Sequence, residues 1–119
     1  RGVDMFDCVI PTRVARHGTA HTRAGPYPVK GGSYKMDQRP VEEGCGCYCC
    51  SHFSRAYVRH LLNVGEILGV RLLTIHNMHC YLRFMREMRE AIANDCFGEW
   101  RQALAAVLRP GGLKSRAAI

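Results

Sequence analysis

The feature that most constrains this chain is the six-residue stretch Cys45-Gly46-Cys47-Tyr48-Cys49-Cys50. Four cysteines in six residues are hard to justify by packing, because a free cysteine serves a core only as a small hydrophobe. Nor do such close neighbours readily bridge one another, since a disulfide needs Cα atoms roughly 4.4–6.8 Å apart with matched Cβ directions. Thiolates at 45, 47 and 50, with an imidazole from the later stretch Thr74-Ile75-His76-Asn77-Met78-His79, supply the three sulfurs and one nitrogen of a closed tetrahedral zinc site. Spacing alone leaves the ligand set open. Cys49 competes with Cys50, and His52, His60 and His79 compete with His76. If 66–94 is helical, His76 and His79 lie one turn apart on neighbouring faces, and one of them points at a metal held by the preceding loop.

A structural metal suits the size of the chain. Its 119 residues, 47% hydrophobic, make one modest domain, small for a core that stands without help. Seven cysteines would fit a secreted disulfide scaffold, but the number is odd, the spacings are tight and no signal sequence is present, so a reducing cytoplasm is expected. No apolar run approaches the roughly 20 residues needed to span a bilayer, which argues against a membrane anchor. Seventeen Lys and Arg against ten Asp and Glu give a net charge of +7 and favour anionic partners, nucleic acid first. Arg83 with Glu87, and Arg86 with Glu90, have the i,i+4 spacing of pairs on a solvated helix face. The remaining surplus gathers in Arg13, Arg16, Arg23, Lys30, Lys35 and Arg39, before the cysteines, and in Arg101, Arg109, Lys114 and Arg116.

The chain opens with Arg1 and no initiator methionine, as a piece of something longer would. Val3-Asp4-Met5-Phe6-Asp7-Cys8-Val9-Ile10 reads as a buried strand ended by Pro11, with Asp7 near its exit. In parallel α/β architectures such strand ends carry the chemistry, though a carboxylate there also serves as a cap of the next turn. Pro11 to Gly18 reads as a loop, and Thr19–Arg23 and Tyr27–Lys30 as short strands around Ala24-Gly25-Pro26. Ser54 caps a short helix through about Asn63. A longer helix from about Glu66 carries Leu68, Leu72, Ile75, Met78, Leu82, Met85, Met88 and Ile92 at helical spacing, a stripe that reads as core. Gly69 inside it costs roughly 1 kcal/mol. A last helix is expected over Phe97–Leu108, stopped by Pro110-Gly111-Gly112, with a mobile tail beyond.

Taken together, Gly2-Val3-Asp4-Met5-Phe6-Asp7-Cys8, Pro11-Thr12-Arg13 with Arg16 and Gly18, the cysteines at 45, 47 and 50, Ser54-Arg55-Ala56-Tyr57 and Ile75-His76-Asn77 resemble the C-terminal part of the bacterial-type tRNA-guanine transglycosylases. The resemblance covers about residues 1 to 108, in order and at compatible spacing. It implies an α/β fold: the C-terminal portion of a (β/α)8 barrel, its last strand and helices, with an inserted zinc-binding subdomain. Residues 1–18 would be the last barrel strand and anticodon-binding loop, 19–80 the zinc subdomain, 81–108 the C-terminal barrel helices and 109–119 a flexible tail.

The same resemblance implies a pentosyltransferase that exchanges guanine at the anticodon wobble position of tRNA for a deazaguanine base, in queuosine modification. By match, Asp7 would be the nucleophile, Thr12, Arg13, Val14, Ala15 and Arg16 the RNA-binding loop, and Cys45, Cys47, Cys50 and His76 the ligands of one structural zinc. Cys49 is an extra cysteine within that motif. The full-length enzyme would be a cytoplasmic homodimer, and this piece alone inactive, because the general acid/base and the base pocket lie upstream. From another class, a non-catalytic zinc-stabilised RNA-binding module also fits the charge and the ligand cluster. An archaeal-type enzyme acting elsewhere on the tRNA fits less well, because Pro11-Thr12-Arg13 with Arg16 resembles the queuine-type loop.

Overall fold

The computed structural model describes residues 2–107. In order they form α1 (Ile10–Arg16), a hairpin of β1 (Thr19–Thr22) and β2 (Gly25–Pro28), a 3-10 turn (Gly32–Tyr34), α2 (Tyr48–His52), α3 (Arg55–Val64), α4 (Ile67–Ala93) and α5 (Phe97–Val107). The end of the last expected helix at Leu108, the Pro-Gly-Gly stop and the expected tail 109–119 lie outside the described residues.

Helix α4 is the spine, touching α1, β1, α2, α3 and α5. Ser54 caps α3 as its position suggests, its hydroxyl accepting the Tyr57 N–H at 3.2 Å. Where α4 crosses α3, a Cβ added to Gly69 would lie 2.8 Å from Leu61 Cβ and 2.9 Å from the Leu62 backbone nitrogen. The glycine that helix propensity marks as a cost is therefore what lets the two backbones approach. One core joins Ala15, Ala20, Val29, Val41, the cysteines 45, 47 and 49, Val58, Leu61, Leu62, Leu72 and Leu73.

Several elements differ from the sequence expectation. Of the buried strand expected over 3–10, residues 3–9 have no regular structure and Ile10 opens α1, and Met5 and Phe6 are 87% and 68% exposed. A parallel strand takes its hydrogen bonds from neighbours, and among the described residues none lies alongside. The expected loop after Pro11 is helical: proline in the first turn has no N–H to lose and a φ already set for the helix. Just beyond α1 and its cap His17 comes Gly18, whose φ of +84° suits glycine and whose N–H donates to the Ala15 carbonyl at 2.9 Å. The hairpin turn is one residue shorter than expected, Arg23-Ala24 in place of Ala24-Gly25-Pro26, with Thr22 opposite Gly25 and the Thr22 hydroxyl donating to the Gly25 carbonyl at 2.8 Å.

The apolar stripe of α4 is not core along its length. Leu72 is buried, but Leu82 and Ile92 are each 59% exposed. The buried face is Gly69, Leu72, Leu73, His76 and Asn77, the face that the other elements reach. The expected surface ion pairs also rearrange. Arg83 turns inward to the buried Glu42 carboxylate at 2.9 Å, and Glu87 pairs with Arg23. Arg86 and Glu90 form no ion pair among the described residues.

The irregular stretch between the hairpin and the cysteines is held through Asp37. Its two oxygens accept the Arg39 guanidinium at 2.9 Å each, and one also takes Arg55 at 2.7 Å. The Arg55 guanidinium lies over the rings of Tyr27 and Tyr34, 5.2 and 5.1 Å from their centroids. Backbone bonds from Arg55 and Ala56 to the carbonyls of Arg39 and Asp37 complete the attachment to α3.

Two predictions follow from this packing. Gly69→Ala should destabilise the chain by about 1–3 kcal/mol, the usual cost of forcing a methyl group into a filled contact; a midpoint in denaturant equal to wild type would contradict the close crossing. The Arg39 hydrogen bonds hold the Asp37 carboxyl down at about 2. A depressed carboxyl stabilises the fold above its unfolded-state pKa and loses that contribution as pH falls through the folded value. The stability gap between wild type and Asp37→Asn should thus be constant above about pH 4 and close between about pH 4 and 2. A gap independent of pH would mean the ion pairs do not stabilise the fold.

Candidate metal centre

The three cysteines and the histidine converge from two directions. Cys45 and Cys47 end the irregular loop, Cys50 lies in the first turn of α2, and His76 projects from the buried face of α4. Nδ1 of His76 lies 3.7 Å from Cys45 Sγ, 3.6 Å from Cys47 Sγ and 3.4 Å from Cys50 Sγ, and all four ligand atoms fall within 4.8 Å of one another. Tetrahedral metal bonds of zinc's length, about 2.3 Å to sulfur and about 2.0–2.1 Å to nitrogen, would set a sulfur and a nitrogen about 3.6 Å apart. The donor set fits such an ion without rearrangement, and it is the one group of its kind among the described residues.

Backbone geometry prepares the sulfurs. Cys47 is the N-cap of α2, and its Sγ accepts the Cys50 N–H at 3.4 Å. That amide favours the Cys47 thiolate. Against that, thiol–thiol hydrogen bonding with Cys50, and then burial, push Cys47 up to about 11. At Cys50 the Cys47 bond pulls downward, but a bond with Cys49 and burial carry the net value up to about 12. Burial raises Cys45 as well. Three thiols, each raised by burial and gathered around one imidazole nitrogen, form a site that a cation would complete, with release of protons on binding.

The imidazole is oriented from behind. Its Nε2–H donates to the His21 carbonyl at 2.8 Å, which assigns the proton to Nε2 and leaves Nδ1 free to ligate. Among the competitors left open by spacing, Cys49 is fully buried in the core cluster and outside the ligand group. His52 is exposed and donates from Nδ1 to the Tyr48 carbonyl, and neither His60 nor His79 joins the group.

The remaining sequence candidates precede the hairpin in the chain. Thr12, Arg13, Val14, Ala15 and Arg16 are on α1, with Ala15 buried and the two arginines exposed; neither arginine forms an ion pair among the described residues. Asp7 is exposed, three residues ahead of α1. The four candidate metal ligands are therefore brought together, whereas Asp7 and the arginines are not drawn into that cluster. Sequence reasoning gave no role to Asn77, Glu42 or His21. Asn77 carried a signal, a polar side chain on a helix face shared with Leu72 and Leu73, whereas Glu42, beside Glu43, carried none. His21 acts through its backbone and carried none.

The site and its supports define a mixed helix and strand module, a hairpin and a cysteine loop closed onto one long helix around a cluster able to hold a metal ion. Comparison with known proteins places it. The family model described as queuine tRNA-ribosyltransferase matches residues 1–110. Proteins named queuine tRNA-ribosyltransferase are similar over most of the chain. That of Desulforudis audaxviator is 56% identical over 111 residues, 92% of this chain and 30% of the relative. That of Ralstonia nicotianae is 53% identical over 112 residues, 94% of this chain and 29% of the relative. That of Herminiimonas arsenicoxydans is 58% identical over 96 residues, 81% of this chain and 26% of the relative. The chain belongs to the queuine tRNA-ribosyltransferase family. It spans about 30% of the length of the curated relatives it matches.

Replacing Cys47 by Ala should abolish one-to-one metal binding and lower the thermal midpoint, because two elements lose their shared ligand. Cys49→Ala should retain the metal. Metal lost in Cys49→Ala and kept in Cys50→Ala would contradict the ligand set.

Proposed function

We propose that this chain is the C-terminal part of a tRNA-guanine transglycosylase, a pentosyltransferase that replaces guanine at the anticodon wobble position by a deazaguanine base. The observation that carries the proposal is identity above one half to queuine tRNA-ribosyltransferases over nine tenths of the chain. The metal is zinc, bound by Cys45, Cys47, Cys50 and His76. With all four positions filled by protein it leaves none for water or substrate, so its contribution is structural.

In this reading Asp7 is the nucleophile. One carboxylate oxygen attacks the ribose anomeric carbon as the bond to guanine N9 breaks, giving a ribosyl-aspartate; the leaving base takes a proton from an acid upstream of this chain. The incoming deazaguanine then gives up its ring proton, attacks the same carbon and releases the Asp7 carboxylate. Thr12 to Arg16 contact the anticodon. The guanidinium groups of Arg13 and Arg16, which form no ion pair among the described residues, suit stacking on, or forking to, splayed bases of a single-stranded RNA loop.

The division proposed is 1–18 last barrel strand and anticodon-binding element, 19–80 zinc subdomain, 81–108 barrel helices and 109–119 tail. The exposed apolar side chains of residues 3–9 and of α4 support it, since a patch of that kind marks a surface made to be covered. Upstream strands of a (β/α)8 barrel would cover it, in a full-length enzyme that is a cytoplasmic homodimer. Seven unbridged cysteines suit that compartment, and no described helix is long and apolar enough to cross a membrane.

Two experiments on the complete enzyme test the reading. Asp7→Asn should keep zinc content and tRNA affinity while eliminating base exchange and the denaturant-resistant protein–RNA adduct. An adduct that survives the substitution would move the nucleophile elsewhere. Arg16→Ala should weaken tRNA binding more than Arg101→Ala, an exposed arginine on α5. Equal losses that vanish together at raised salt would reduce the interaction to phosphate attraction and favour a non-catalytic zinc-stabilised RNA-binding module.

A further inference from the structure

Asn77 takes no part in the chemistry above, yet it ties α4 to both α1 and β1. It is fully buried beside His76. Its Oδ1 accepts the His21 N–H at 2.9 Å, and its Nδ2 donates to the Pro11 and Thr19 carbonyls at 3.0 Å each. Both amide protons and the oxygen are therefore satisfied by backbone groups 56 to 66 residues away. Those groups belong to the first turn of α1, the first residue of β1 and His21. An amide buried among apolar neighbours costs stability unless it is bonded in this way, so the geometry it imposes is what it contributes.

His21 is held from both sides. Its N–H goes to Asn77, and its carbonyl accepts the His76 Nε2–H at 2.8 Å. Metal ligand and amide thus grip the two polar groups of one residue, and Asn77 extends the grip to Pro11. Helix α1 needs such a hold. Seven residues do not make a stable helix alone, and only Pro11 and Ala15 of α1 are buried.

We propose that Asn77 is a positioning residue, which fixes α1, and with it Arg13 and Arg16, relative to the metal-held turn of α4. Its importance for RNA rests on the reading of α1 given above; its structural consequence does not.

Amide hydrogen exchange on the zinc-loaded 119-residue chain tests it, comparing wild type with Asn77→Asp and Asn77→Leu. Asp keeps the acceptor for His21 and loses both donors, while Leu loses all three bonds. Both variants should still bind one zinc and keep α3 protected, while the α1 amides exchange faster by about tenfold or more, the effect expected when buried hydrogen bonds fixing a short helix are removed. The His21 amide should stay protected in Asn77→Asp and lose protection in Asn77→Leu. Unchanged α1 exchange in both variants would overturn the proposal. So would a uniform rise through α3 and α4 with loss of zinc, which would make Asn77 a general folding residue. The RNA reading is judged separately in the complete enzyme. If Arg16→Ala leaves tRNA affinity intact while the Asn77 variants free α1, the positioning role stands and the role of α1 in binding RNA falls.

Discussion

Everything in this fold turns on three thiols and one imidazole brought to a single point. A chain of this size buries a thin core, and the loop before α2 has little regular structure with which to hold itself. Convergence of Cys45, Cys47 and Cys50 on His76 joins that loop and α2 to α4. The same histidine then reaches through its other nitrogen to the hairpin. One side chain thereby fixes the positions of three segments distant in sequence, which apolar contacts alone would leave free to slide.

A second, polar layer lies around that point. Glu42, itself buried, receives Arg83 from α4 and the Arg23 backbone N–H from the hairpin turn. Asp37 gathers Arg39 and Arg55 in the same manner. These carboxylates close the irregular stretch onto helices at both ends, and each buried charge finds a partner of opposite sign, the condition under which such a charge is tolerated. Rigidity here is distributed between a metal-sized donor cluster and two carboxylate hubs.

The candidate metal centre was legible in part because its chemistry is local: clustered cysteines announce themselves, although helical spacing left His76 and His79 both open. The family resemblance selected Cys50 and His76, and the geometry brings those same residues together. Strand and loop around Asp7 were less legible. A strand is defined by its neighbours, and the apolar run 3–10 found none, while the proline taken for a loop signal at 11 opens a helix. The α4 stripe misled for a related reason. Period shows which residues share a face, but not which face the remaining structure covers. Long-range partners such as Arg83 with Glu42 were invisible, since an i,i+4 spacing proposes a local pair and tertiary burial offered a stronger one.

The central claim is that a metal ion held by three sulfurs and one nitrogen organises this chain. X-ray absorption at the zinc edge of the loaded 119-residue chain addresses it directly. The account predicts three sulfur scatterers at about 2.3 Å and one nitrogen at about 2.0–2.1 Å, with no bound water oxygen. Four sulfurs, meaning recruitment of Cys49, or two nitrogens, meaning recruitment of a second histidine, would contradict it.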